Sequence, residues 1–388
     1  MAFDFDKIID RTGTYSIKYG EAAKRGKPAD ALPMWVADMD FQTPPCVVDA
    51  LTREVQHGIF GYSDTNDAYF TSVAGWFARR FNWAVEPQWL VKTPGIVTAL
   101  HIAVRGLTNR GDAVIIQTPV YYPFTEAVES TGRRLVVNPL VETDGYYTID
   151  FADFERKIAD NAVKMFILCS PHNPVGRVWT RAELEKLGEI CLRHGVIVVS
   201  DEIHEDFVYA GHTHTVFASL SPELRDITVT CTAPSKTFNL AGLMISNIFI
   251  ANHDLRRAFK AEYERFGLSQ LGVMGLVACK AAYDGGEAWL GELLTYLSGN
   301  MDYLAQFVGE HLPHIKVRKP EGTYLAWLDC RALGLDAREL DDFFARKAKL
   351  WLDGGTMFGT GGDGYQRINV ACPRSVLEDA MARLSAAL

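Results

Sequence analysis

ITVTCTAPSKTFNLAGL, residues 227–243, runs a β-branched, apolar stretch straight into Pro234, Ser235 and a single lysine, Lys236. The apolar part has strand composition, and a strand is expected over 227–235. Beyond the lysine come Phe238, Leu240, Ala241, Gly242 and Leu243, and the stretch contains no acid. Lysine is among the residues least often buried, because its ammonium loses hydration there. An unpaired, partly buried amine is disfavoured in its charged form. Its pKa falls, and it becomes a nucleophile able to form a Schiff base with an aldehyde. The plainer reading is a solvated lysine that begins a helix.

Upstream, the same order of apolar run and polar end recurs. LVKT (90–93), AVIIQTP (113–119), MFILCSP (165–171) and VIVVSDE (196–202) read as buried strands. Between them lie helical patterns. IVTALHIAVRGL (96–107) is closed by Asn109, Arg110 and Gly111. RAELEKLGEICLRH (181–194) is opened by a capping-box pair, Thr180 and Glu183, and stopped by Gly195. Strands alternating with helices predict an α/β fold with a mainly parallel sheet covered on both faces. Such sheets place ligands beyond the carboxyl ends of their strands. Gly95, Tyr121, Asn173, Asp201 and Lys236 each fall at such an end.

From about residue 287 the pattern changes to long helical segments and the apparent strands KVRKPEGTYLAWLD and QRINVA. The expected organisation is an N-terminal arm with part of a small domain (1–45), a large domain (46–286) and a small C-terminal α/β domain (287–388). A chain of 388 residues exceeds the roughly 250–300 that one core supports, which also argues for two domains. A net charge of −9 and the absence of a basic run argue against a nucleic-acid partner. No apolar run approaches the ~18 residues of a membrane span. The start, MAFDFDKIID, carries acids where a signal peptide needs basic residues. Seven scattered cysteines without a C-x-x-C pair read as reduced thiols, so the cytoplasm is expected.

Asp201 ends an apolar strand, where a carboxylate needs a partner. It suits the proton on a ring nitrogen, as pyridoxal phosphate requires, or else a helix N-cap. At Gly95, the N–H groups of Ile96 and Val97 open a helix whose dipole favours an anion; the plainer reading is a tight turn. Gly359 to Gly364 fits G-x-G-x-x-G, but an apparent strand follows where a helix is required, so a flexible turn is expected. His204, Glu205, His212 and His214 lack metal-ligand spacing, no metal site is expected, and His212 and His214 read as part of a solvated loop.

SPHNPVGRVW (170–179), VSDEIHEDF (199–207) and APSKTFNLAG (233–242), in that order, resemble the signature of fold-type-I pyridoxal-phosphate enzymes, the aspartate-aminotransferase superfamily. PMWVADMDF (33–41), FGYSD (60–64), TPVYYPF (118–124), PEGTYLAWLD (320–329) and RINVACPR (367–374) are similar to the MalY/PatB-type cystathionine β-lyases, or cysteine-S-conjugate β-lyases. The resemblance implies that Lys236 carries pyridoxal 5′-phosphate and later moves the Cα proton. It implies that Asp201 pairs with the pyridine nitrogen, and that Asn173 and His204 contact the phenolic oxygen. Tyr121 would stack on the ring. Gly95, Ile96, Val97 and Ser235 would hold the phosphate, joined by Tyr62 from the other subunit of a homodimer. Arg367, with Asn173 nearby, would clamp the carboxylate of an amino-acid substrate bidentately, which lysine cannot do. His204 stands where aminotransferases usually have tyrosine, and Met244 where many have a phosphate-binding arginine; both fit the lyase branch. The implied reaction is α,β-elimination of cystathionine or another cysteine S-conjugate to a thiol, pyruvate and ammonia. Transamination with a 2-oxo acid is the alternative, and a non-catalytic regulatory protein on the same fold is a third reading.

Overall fold

The computed structural model describes residues 3–388, so the first two residues of the expected arm lie outside it. Seven strands form the large sheet: β1 (Leu90–Thr93), β2 (Ala113–Thr118), β3 (Arg134–Pro139), β4 (Met165–Cys169), β5 (Ile197–Asp201), β6 (Thr228–Thr232) and β7 (Ser246–Phe249). Their spatial order is β1-β7-β6-β5-β4-β2-β3. The pairs β6–β5, β5–β4, β4–β2 and β2–β3 are parallel, while β7 runs antiparallel to both neighbours. Every residue of β2, β4 and β6 is buried, because helices cover both faces.

One expected strand needs correction in detail, and another strand was not expected. The strand expected over 227–235 stops at Thr232, and Pro234 opens a one-turn helix, Pro234–Thr237, that carries Lys236. Proline fixes φ and lacks an N–H, so it suits a helix start and cannot extend a ladder. The strand β7, SNIF, gave no signal because it begins with two polar residues. Its Asn247 is buried with both side-chain polar atoms partnered: Tyr69 Oη donates to Oδ1 across 2.8 Å, and Nδ2 donates to Cys279 Sγ.

A second sheet holds β8 (Lys316–Val317), β9 (Leu325–Asp329), β10 (Asp353–Gly354) and β11 (Tyr365–Asn369) in the antiparallel order β8-β9-β11-β10. The helix Glu287–His311 precedes it. Cross-strand register sets Arg367 opposite Trp327 on one side and Asp353 on the other. The arm joins this unit where Leu32–Pro33 pairs in parallel with Leu350–Trp351. Residues 34–41 then run as a strap. Asn369 Nδ2 donates to the carbonyls of Val36 and Asp38, and Asn239 Nδ2 donates to those of Met39 and Phe41. Among the described residues, no helix is long and apolar enough to cross a membrane.

Candidate active site

A cavity of about 390 Å³ opens where the carboxyl ends of the large-sheet strands meet the strap and the second sheet. Its lining gathers Gly95, Ile96 and Val97 from the turn after β1, and Tyr121 from the turn after β2. Asn173, Asp201, His204, Ser235, Lys236 and Arg367 complete it. Tyr62 is the expected site residue left out. It is 96 % exposed and borders a separate hollow with Phe60 and Leu271. A cavity of about 490 Å³ lies elsewhere, between Tyr146, Arg177 and Arg318, and holds none of the expected site residues.

Lys236 Nζ donates to the carbonyl of Ala37 in the strap at 2.7 Å. Burial lowers its pKa to about 8; attraction to Asp38 and Asp201 opposes this, and Arg367 adds to it. Asp201 is buried at the end of β5. Its Oδ1 accepts from the Ile203 N–H at 3.2 Å, and it pairs with no basic side chain among the described residues. Burial raises its pKa to about 7, with Glu202 adding and the Ile203 N–H and Lys236 opposing. His204 is buried, and burial holds its pKa well below the usual imidazole range, with the charges of Lys236 and Arg367 adding to that. Among the described residues, its Nδ1 has no hydrogen-bond partner.

Gly95 precedes the helix Ile96–Leu107 with φ 104° and ψ 157°, a conformation that favours glycine, and no side chain caps that helix. Its first N–H groups therefore face the cavity free for an anion. A ring with an acidic N–H, a phosphate and an aldehyde would meet a lone buried carboxylate, an uncapped helix terminus and a depressed amine. The residues present fit pyridoxal phosphate.

Arg367 reaches the cavity from β11. Its Nη1 donates to Asn173 Oδ1 at 3.1 Å, and its Nη2 to the Trp35 carbonyl at 2.8 Å and to the Asp353 carboxylate. Trp35, Ala37, Tyr122 and Asp353 also line the site and were not singled out from the sequence for it. Trp35 and Ala37 sit inside PMWVADMDF, which was a usable signal; Asp353 is an acid in an unremarkable segment and gave none. The solvated-loop expectation fails for His214. It is buried, with Nε2 2.7 Å from Glu202 Oε2, whose other oxygen accepts from Ser200 Oγ and the Phe217 N–H. Gly359–Gly364 connects a short 3₁₀ turn to β11, so a strand rather than a helix follows it.

A family model described as aminotransferase class I and II matches residues 30–384. The chain belongs to that family. It is 48 % identical to the cystathionine β-lyase PatB of Bacillus subtilis, over 99 % of this chain and all of that one. It is 37 % identical to the protein MalY of Escherichia coli, over 98 % of each chain. Among solved structures, the pyridoxal-phosphate-bound C–S lyase of Staphylococcus hominis superposes with a TM-score of 0.93 at 35 % identity, covering 100 % of this chain and 98 % of that one.

Proposed function

We propose that this chain breaks a carbon–sulfur bond in cystathionine or another cysteine S-conjugate, giving a thiol, pyruvate and ammonia. It is a pyridoxal-phosphate-dependent carbon–sulfur lyase of fold type I. One observation carries the assignment of roles: the depressed amine of Lys236, the buried acid Asp201 and the guanidinium of Arg367 line one cavity.

Bound there, pyridoxal phosphate supplies an electron sink for the pair left at Cα. Lys236 Nζ would hold the cofactor through its aldehyde and would serve as the base for the Cα proton. Asp201 would hold the proton on the ring nitrogen. His204 and Asn173 would serve the phenolic oxygen, and Tyr121 would hold the ring. The Ile96 and Val97 N–H groups, with Gly95 and Ser235, would hold the phosphate. Arg367 takes the substrate carboxylate. Trp35 and Ala37 of the strap wall one side of the cavity.

Tyr62 completes the phosphate seat of a second copy in a homodimer. The support is its exposure together with that of Ile59 and Phe60 in the same segment. The division into 1–45 with 287–388, and 46–286, is supported by the confinement of the seven-stranded sheet to residues 90–249. A cytoplasmic location is supported by seven free cysteines.

The family's name favours transamination as the second reading. Pyruvate release from cystathionine, measured with and without an added 2-oxo acid, separates the two. Release that needs no 2-oxo acid is expected; a product that appears only with one overturns the lyase reading.

A further inference from the structure

The guanidinium of Arg367 has five N–H groups in one plane, and a carboxylate grips it through two that lie parallel. Two such edges exist, one formed by Nε with Nη2 and the other by Nη1 with Nη2. Both run through Nη2, and both of its protons are engaged, one by the Trp35 carbonyl and the other by Asp353. Nη1 also holds Asn173, while Nε is buried without a hydrogen-bond partner among the described residues. A bidentate carboxylate therefore cannot dock unless one partner of Nη2 gives way.

The Trp35 carbonyl that accepts from Nη2 belongs to the backbone of the strap, which is fixed by pairing at Leu32–Pro33 and by Asn369. Asp353 is a side chain that itself lines the cavity, and it is held opposite Arg367 by strand register. We propose that Asp353 is an internal occupant of the carboxylate clamp, which an amino-acid substrate displaces to bind, so that this residue sets substrate affinity. The proposal rests on the reading that Arg367 receives the substrate carboxylate.

The probe is 2-methylalanine, which has an α-carboxylate but neither a Cα proton nor a β leaving group. It is titrated into the holoenzyme by calorimetry. Asp353→Asn keeps the shape and removes the charge, so affinity should tighten about tenfold, the factor separating a charge-assisted from a neutral hydrogen bond. KM for cystathionine should fall by more than kcat moves. Damage to a supporting residue only weakens binding, so tightening is the signature of a removed competitor. If Asp353→Asn does not fold, Asp353→Ser, which also lacks the charge, takes its place. Arg367→Lys in parallel should weaken the probe about tenfold or more, because lysine offers no parallel pair. Unchanged or weaker binding by the Asp353 variant, with Arg367→Lys impaired, overturns the proposal. Unimpaired binding by Arg367→Lys overturns the reading of Arg367 itself.

Discussion

Lys236 and Asp201 are perturbed by the same burial in opposite directions, the amine down to about 8 and the carboxyl up to about 7. Desolvation disfavours whichever form is charged, so an empty site pays for both groups and a bound cofactor relieves both. Replacing Lys236 with Ala should cut pyruvate release by about 10²–10⁴-fold, the usual weight of a positioned base. Borohydride should then no longer fix the cofactor to the chain. Persistent, undiminished release would remove Lys236 from the mechanism. Asp201→Asn should act with opposite signs on activity and stability. Removing one partner of a buried charge pair costs about 3–5 kcal/mol, or roughly 10²–10⁴ in rate. In the cofactor-free protein, folded Asp201 keeps its proton up to about 7, whereas its ordinary value is 3.8. The folded state binds the proton more tightly, so wild-type stability falls as pH rises through that window. Cofactor-free Asp201→Asn should thus match wild type near pH 4 and melt higher than wild type above pH 7. Lys236 acts in a separate window, between about 8 and its ordinary 10.5, where stability rises with pH. Melting curves across pH test the sign. At this scale the sequence was informative, since a lysine without a local acid and an aspartate ending an apolar strand are visible in one dimension. Asp353 was not legible, because its partner is 14 positions away and is brought opposite only by β10–β11 pairing.

Helices and strands were legible where the pattern was local. Residues 96–107 and 181–194 form helices with the expected bounds. At the second, Thr180 Oγ1 accepts from the Glu183 N–H at 3.2 Å, and Glu183 Oε2 accepts from the Thr180 N–H at 2.8 Å. Thr180→Ala should remove about 1 kcal/mol of stability. Its activity at a temperature well below the melt should be unchanged, since neither Thr180 nor Glu183 lines the cavity. A loss of activity without a loss of stability would show that the helix does more than support the sheet. Strand β7 was not legible, because its polar residues become strand residues only through neighbours on both sides. His214 was missed for a related reason. Its loop is polar in composition, yet the acid that buries it, Glu202, belongs to a segment twelve residues earlier.

The molecule as a whole brings an arm, two sheets and a strap to one cavity. Ala37 and Lys236, joined by a hydrogen bond, are 199 residues apart, and Trp35 and Arg367 are 332 apart. Tyr62 stays outside the cavity of its own chain. A second copy should therefore complete the site, and light scattering should report twice the 43.2 kDa chain mass. Tyr62→Phe should leave that mass unchanged and loosen cofactor by about tenfold, as expected for one lost hydrogen bond to a charged group. A fully active species of single-chain mass would exclude the shared site.

By itself, the amino-acid sequence determined the alternation of strand and helix, the strand ends that carry chemistry and the identity of the groups found there. Those features depend on residues close together in the chain. Tertiary structure decided which groups meet, how far burial shifts Lys236 and Asp201, and that Asp353 and a strap carbonyl occupy Arg367. Desolvation and long-range pairing exist only once distant segments are packed together.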